Sequence, residues 1–203
     1  MKIGGFQKFS LIDYPGKIAA VIYTQGCNFR CPYCHNPELV LSELFEKEIP
    51  LQEILDFLKF RKGKLEGVVI TGGEPTLQSD LSNIIEKIKG LGYSVKLDTN
   101  GTNPAVLKEL IEKKLINYIA MDIKAPFERY KELAGTEVDL EKIKQSIRQI
   151  MISGIDYEFR TTVVKYLLND NDVELLKSEF SNVKRYVLKD FNPAAKILSE
   201  VIK

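Results

Sequence analysis

Short β-branched, apolar runs alternate along the chain with segments whose apolar residues recur at helical spacing. No other feature limits the fold as strongly. The pattern predicts strands over Ile18–Thr24, Gly67–Thr71, Ser94–Asp98, Tyr118–Ile123, Tyr157–Val164 and Lys184–Leu188. It predicts helices over Leu51–Lys62, Ser79–Lys89, Ala105–Lys114, Leu140–Ser153 and Asp172–Phe180. Strands that alternate with helices form a parallel sheet with right-handed crossovers, either open and doubly wound or curved toward a barrel. No GxGxxG or GxxxxGKS/T follows the first apolar strand, which weakens the nucleotide-binding doubly wound form. A closed eight-stranded barrel needs about 250 residues, and the chain has 203. The expected fold class is therefore α/β: an incomplete (β/α)6 TIM-like barrel, open on one side, with residues 1–203 as one domain. Ahead of it, Lys2–Tyr14 reads as an extended arm closed by the turn signal Pro15-Gly16.

Local chemistry supports several boundaries. Pro50 and Pro104 suit the first turn of a helix, Asn103 suits a cap, and Gly90, Gly92 and Gly154 suit helix C-termini. Ile84, Ile88 and Leu91 mark a core-facing stripe. Charge excludes some functions. Lys and Arg number 29 against 28 Asp and Glu, a net charge of +1, so no nucleic-acid or acidic-membrane partner is expected. The stretches Arg61–Lys64 and Lys184-Arg185 are too short for a nucleic-acid footprint and read as solvated faces. No apolar stretch approaches the ~18 residues of a membrane helix. The start MKIGGFQKFS lacks an apolar signal core, which makes the cytoplasm the expected compartment.

The rare residues say more. All three cysteines fall in Gly26-Cys27-Asn28-Phe29-Arg30-Cys31-Pro32-Tyr33-Cys34-His35-Asn36-Pro37, where the first apolar strand ends. Their CxxxCxxC spacing suits three irons of a [4Fe-4S] cube, and with no fourth cysteine one iron stays open for chemistry. A zinc site that adds His35 is an alternative, although the adjacent side chains of Cys34 and His35 diverge. A redox dithiol of Cys31 and Cys34 would leave Cys27 unexplained. A second motif, Gly72-Gly73-Glu74-Pro75, closes the strand at Gly67–Thr71, and its glycines let backbone approach a ligand. Two more polar clusters stand at the same edge, Asp98-Thr99-Asn100-Gly101 and Met121-Asp122-Ile123-Lys124. In the latter, Asp122 and Lys124 share a strand face. Turn, cap or solvated roles are the ordinary reading of these residues. Arg160 could face inward from its strand, although a surface position is the default for arginine.

CxxxCxxC followed by GGEP resembles the radical S-adenosylmethionine (SAM) superfamily. The stretches GCNFRCPYCHNPELV and TGGEPTLQ resemble its glycyl-radical activases: first the anaerobic ribonucleoside-triphosphate reductase activating proteins, then the pyruvate formate-lyase activating enzymes. The likeness runs from about Lys8 through Lys165 and is weaker beyond. It implies that Cys27, Cys31 and Cys34 hold the cluster and that the open iron is chelated by SAM. Tyr33 would meet the adenine through its backbone, and His35 is grouped with the cofactor-binding residues. Gly72, Gly73 and Glu74 would receive the methionine amino group; Asp98, Thr99, Asp122, Lys124 and Arg160 would lie around the cofactor. It also implies a glycyl-radical enzyme as partner, most readily anaerobic ribonucleotide reductase, and a low-potential electron donor such as flavodoxin or ferredoxin. Other small radical enzymes, including one making a deazapurine precursor, and a non-catalytic zinc-binding module remain the alternatives. Where pyruvate formate-lyase activators read Pro-Tyr-His, the chain has Lys189-Asp190-Phe191. The open barrel side would admit a protein substrate, docked on the Cys27–Pro37 loop and the ends of the last two strands.

Overall fold

The computed structural model describes residues 1–194 and 197–201. Its strands are β1 (Ile3–Ser10), β2 (Ala19–Thr24), β3 (Gly67–Gly72), β4 (Ser94–Thr99), β5 (Tyr118–Asp122), β6 (Asp156–Val163) and β7 (Tyr186–Asp190). They lie in one sheet in sequence order, β1-β2-β3-β4-β5-β6-β7. Strands β2 to β7 are mutually parallel, and β1 pairs antiparallel with β2. A doubly wound sheet reverses its strand order at a switch point. Here the order never reverses, so right-handed crossovers place every connecting helix on the same face. The result is a curved half-barrel; among the described residues β1 and β7 do not pair, and the barrel stays open.

The helices are α1 (Pro37–Val40), α2 (Leu51–Phe60), α3 (Leu81–Gly90), α4 (Pro104–Glu112), α5 (Tyr130–Ala134), α6 (Leu140–Ile152), α7 (Asp170–Glu179) and α8 (Leu198–Val201). Their apolar stripes share one core with the outward side chains of the strands. Ile54, Ile84, Ile88, Leu107, Leu110 and Ile143 pack with Ile22, Val68, Ile70, Leu97, Ile119 and Phe159. Asp139 caps α6 by accepting from the amides of Glu141 and Lys142. Asn169 and Asp172 close a reciprocal capping box on α7. Gly92 and Gly154 follow α3 and α6 with positive φ, as expected of helix stops. Asn103 does precede α4, but its side chain caps nothing; its amide Nδ2 donates instead to the Thr76 carbonyl at 3.0 Å.

The concave face differs in kind. Tyr14, Ala19, Val21, Val69, Tyr118 and Ala120 form a small apolar floor near the amino ends of the strands. Above it the same face becomes charged. The extended arm proves to be the edge strand β1, which covers the free edge of β2. No helix of the described residues is long and apolar enough to cross a membrane.

Candidate active site

Leaving β2, the chain enters the cysteine loop through Gly26, whose amide donates to the Leu39 carbonyl at 2.8 Å. Cys34 N donates to Cys31 O at 3.0 Å, folding the second half of the loop into a tight turn. From outside, Arg30 N donates to Ala134 O at 2.8 Å. This close approach requires Gly135: a Cβ there would stand 2.0 Å from Arg30 O, and its φ is +67°. Cys27, Cys31 and Cys34 are unbonded to one another and line a single cleft at the carboxyl ends of the strands. Burial pushes the Cys27 thiol up to about 12 and the Cys31 thiol to about 11, while Lys124 pulls both down. Burial raises Cys34 in the same way. Such thiols become ligands only when a metal offsets the cost of burying their charge.

The Gly72-Gly73-Glu74 turn is the loop's inner support. Gly73 N donates to Thr24 O and Glu74 N to Gly26 O, each at 2.8 Å. A Cβ on Gly72 would fall 2.4 Å from Thr24 N, and one on Gly73 would fall 2.1 Å from Gly26 O. The space beside these glycines is filled by the stem of the cysteine loop, a packing need that stands alongside the ligand approach expected from the sequence. Glu74 is fully buried, and burial raises its carboxyl pKa. Its Oε1 accepts from Thr76 N at 3.0 Å and Thr99 Oγ1 at 2.8 Å, and its Oε2 from Asn100 N at 2.6 Å. It therefore clamps the ends of β3 and β4 together beneath the cleft.

Across the cleft runs a continuous charged set. Arg160 Nη1 donates to Asp98 Oδ2 at 3.1 Å and Nε to Asp122 Oδ1 at 2.9 Å. Lys124 Nζ reaches Asp122 Oδ2 at 3.1 Å. Lys96, only 2% exposed, pairs with Asp98, which also accepts from Thr71 Oγ1 at 3.3 Å. Burial alone would raise Asp122, but Arg160 and Lys124 hold its carboxyl well below the ordinary range. The inward position of Arg160 corrects the default surface reading. Arg185 is exposed, as the solvated-face reading expects, and it also pairs with the buried Glu158 Oε2 at 3.1 Å.

The structure brings the sequence-selected residues together: Cys27, Cys31, Tyr33, Cys34, His35, Gly72, Gly73, Glu74, Asp98, Thr99, Asp122, Lys124 and Arg160 all line this cleft. The cleft encloses about 200 Å³, below the ~300–1,000 Å³ of drug-sized ligand pockets, and it opens to solvent on one side. The His35 ring stacks on Phe191, centroids 5.0 Å apart. Asn100 keeps its turn role, accepting from Thr102 N at 3.0 Å and donating to Asn28 Oδ1 at 2.8 Å. Sequence reasoning passed over Lys96 and Thr71. The signal was present, since Lys96 shares strand parity with Asp98.

The donor set suits an iron–sulfur cube: three soft thiolates on one wall, facing acceptors and cations on the other. Among the described residues no three Cys, His, Asp or Glu side chains converge on one metal position.

Comparison with known proteins agrees with this arrangement. The Radical SAM superfamily pattern matches residues 21–178. A Methanocaldococcus jannaschii protein described as a glycyl-radical enzyme activating enzyme is 38% identical over 196 residues, covering 94% of this chain and 80% of that protein. The pyruvate formate-lyase-activating enzyme of Clostridium pasteurianum is 28% identical, covering 91% and 85%. Among solved structures, Streptococcus suis SuiB bound to S-adenosylmethionine superposes with a TM-score of 0.68 at 19% identity. That match covers 90% of this chain but 46% of SuiB, so the chain spans less than half of that enzyme, and the likeness is one of fold.

Proposed function

The chain belongs to the radical SAM superfamily, as a relative of its glycyl-radical enzyme activating enzymes. From that premise we propose that it installs a glycyl radical on anaerobic ribonucleoside-triphosphate reductase. The observation that carries the reading is the convergence of three thiols, the Gly72–Glu74 turn and the Asp98–Arg160–Asp122–Lys124 set in one cleft. When bound, a [4Fe-4S] cluster supplies the electron that cleaves the SAM sulfonium, giving methionine and a 5′-deoxyadenosyl radical able to take hydrogen from a glycine. In this reading Cys27, Cys31 and Cys34 hold the cluster. Tyr33 and His35 border the adenine, and the Gly72-Gly73-Glu74 turn offers acceptors to the methionine amino group. Lys124 and Arg160 offer cations to its carboxylate, with Asp98, Thr99 and Asp122 fixing their positions. The burial of the loop keeps water away from the reacting centre.

The open side of the half-barrel, beside the Cys27–Pro37 loop and the ends of β6 and β7, is the proposed docking rim for the glycine-bearing loop. A flavodoxin or ferredoxin would deliver the electron, and the setting would be the cytoplasm. The test is anaerobic reconstitution, analysis of iron and sulfide, and reduction in the presence of SAM and the reductase. A glycyl radical seen on the reductase by electron paramagnetic resonance supports the proposal. SAM cleavage without a radical on that partner sinks the choice of reductase, and stoichiometric zinc without sulfide sinks the whole reading. Cys27→Ala, Cys31→Ala and Cys34→Ala are each expected to abolish iron binding while the chain still folds. Unchanged iron content in any one of them removes that residue from the site.

A further inference from the structure

The chain beyond β7 returns to the cysteine loop, a contact that nothing in the proposed chemistry uses. Leu198 N donates to Cys34 O and Ser199 N to Pro32 O, each at 3.0 Å. Those two carbonyls bracket the turn that carries Cys34. The Leu198 side chain is 1% exposed and packs with Val40 and Leu41 against Cys27 and Cys34. Cys27 and Cys34 also touch the main core, in which Cys31 is buried, but Cys31 has no place in the Leu198 cluster. Earlier in the same segment, Phe191 stacks on His35. Three separate contacts thus lead from the last strand to one side of the loop.

We propose that Leu198 and Ser199 are positioning residues for the cysteine turn: a C-terminal brace that holds the Cys31–Cys34 turn and seals the Cys27 and Cys34 sulfurs from solvent. The physical reasons are two. Carbonyls of Pro32 and Cys34 left without donors in a partly buried loop would favour reopening toward water. An aliphatic side chain against thiol sulfurs denies water and oxidants a path to them, and cluster stability depends on such outer-shell contacts. The brace itself is independent of what the thiols bind; its value to a cluster rests on the function proposed above.

Site-resolved thiol alkylation of the apoprotein, read by mass spectrometry, tests the brace without any metal. In Leu198→Asp and Ser199→Pro, Cys27 and Cys34 are expected to react roughly tenfold faster than in the unaltered chain, because local opening sets their access. Proline is tolerated in the first turn of a helix, so Ser199→Pro removes a donor without barring α8. Cys31 is the internal control: its rate should stay within about twofold, whereas global unfolding would raise all three thiols together. Leu198→Met should restore protection, since it returns apolar volume to the same place. After anaerobic reconstitution, the two damaging variants should lose iron and sulfide in air several times faster than the unaltered protein, with Leu198→Met again protected. Equal alkylation rates at Cys27 and Cys34 in both variants overturn the brace. Failure of the unaltered chain to load iron and sulfide overturns the cluster reading and leaves the alkylation result standing.

Discussion

On the convex side of the sheet, Val68, Ile70, Val95, Leu97, Ile119 and Phe159 lie fully buried against the helices. On the concave side the same strands carry Lys96, Asp98, Asp122, Glu158 and Arg160 in an unbroken chain of ion pairs. A closed TIM barrel fills its interior with branched apolar side chains. This half-barrel keeps an apolar floor only at the amino ends and gives the upper layer to charge. The convex face gains stability from burial, to which each methylene contributes about 0.8 kcal/mol. Buried ion pairs add little net stability and become costly when one member is lost. Substitution should therefore destabilise both faces, the concave one through charges left without partners and the convex one in proportion to the apolar volume removed.

The largest effect is expected at the hinge of the charged set. Arg160→Met removes the guanidinium that Asp98 and Asp122 share and leaves them only Lys96 and Lys124; with that partial compensation the cost should fall at the low end of the about 3–5 kcal/mol of a broken buried pair. Denaturant unfolding measures this, and a loss below about 1 kcal/mol would show that the concave pairs are solvated in effect. Next comes Gly73→Val at the strand end where the faces meet. Its side chain must displace Gly26 O, with a penalty of roughly 2–4 kcal/mol. The cysteine loop should shift with it, lowering iron uptake. Normal iron uptake would contradict the packing role given to this glycine.

Asp122→Asn is a subtler probe of the concave face. The Asp122 carboxyl is held below its ordinary value, so its contribution is complete above the unfolded-state pKa of about 4 and disappears as pH falls through the lower folded-state value. With the Asp122 side chain 36% exposed, solvent screening trims the variant's loss of stability to about 1–1.5 kcal/mol at neutral pH, and the gap should narrow on acidification below about pH 4. Thermal unfolding across that range checks the sign; a gap that widens in acid would be fatal to it. The smallest effect belongs to the convex face. Ile70→Val removes one methylene from a fully buried position, at a cost of about 1 kcal/mol, with no dependence on pH over the same range.

Much of this was legible in the sequence. The six parallel strands lie within two residues of their expected limits, because short β-branched, apolar runs are local signals. The grouping of the three cysteines was readable for the same reason: all three fall within eight residues, which needs no tertiary knowledge. Edge strand β1 was less visible. Its Gly4, Gly5 and exposed middle lack an apolar run, and only the free edge of β2 gives it a partner. Helix α8 is four residues long, and nothing local predicts that it will reach the cysteine turn.

Composition and order alone determined the class of fold, the strand count beyond β1, and the grouping of chemical residues at one edge of the sheet. They did so because strand faces, helix stripes and clustered thiols are written within a few residues of one another. The tertiary structure decided what those residues touch. It turned Gly72 and Gly73 into supports for the cysteine stem and Glu74 into a clamp between two strands. It also drew Arg160 inward between Asp98 and Asp122. These contacts join residues separated by tens of positions, and only the packing of the open, twisted sheet sets which of them meet.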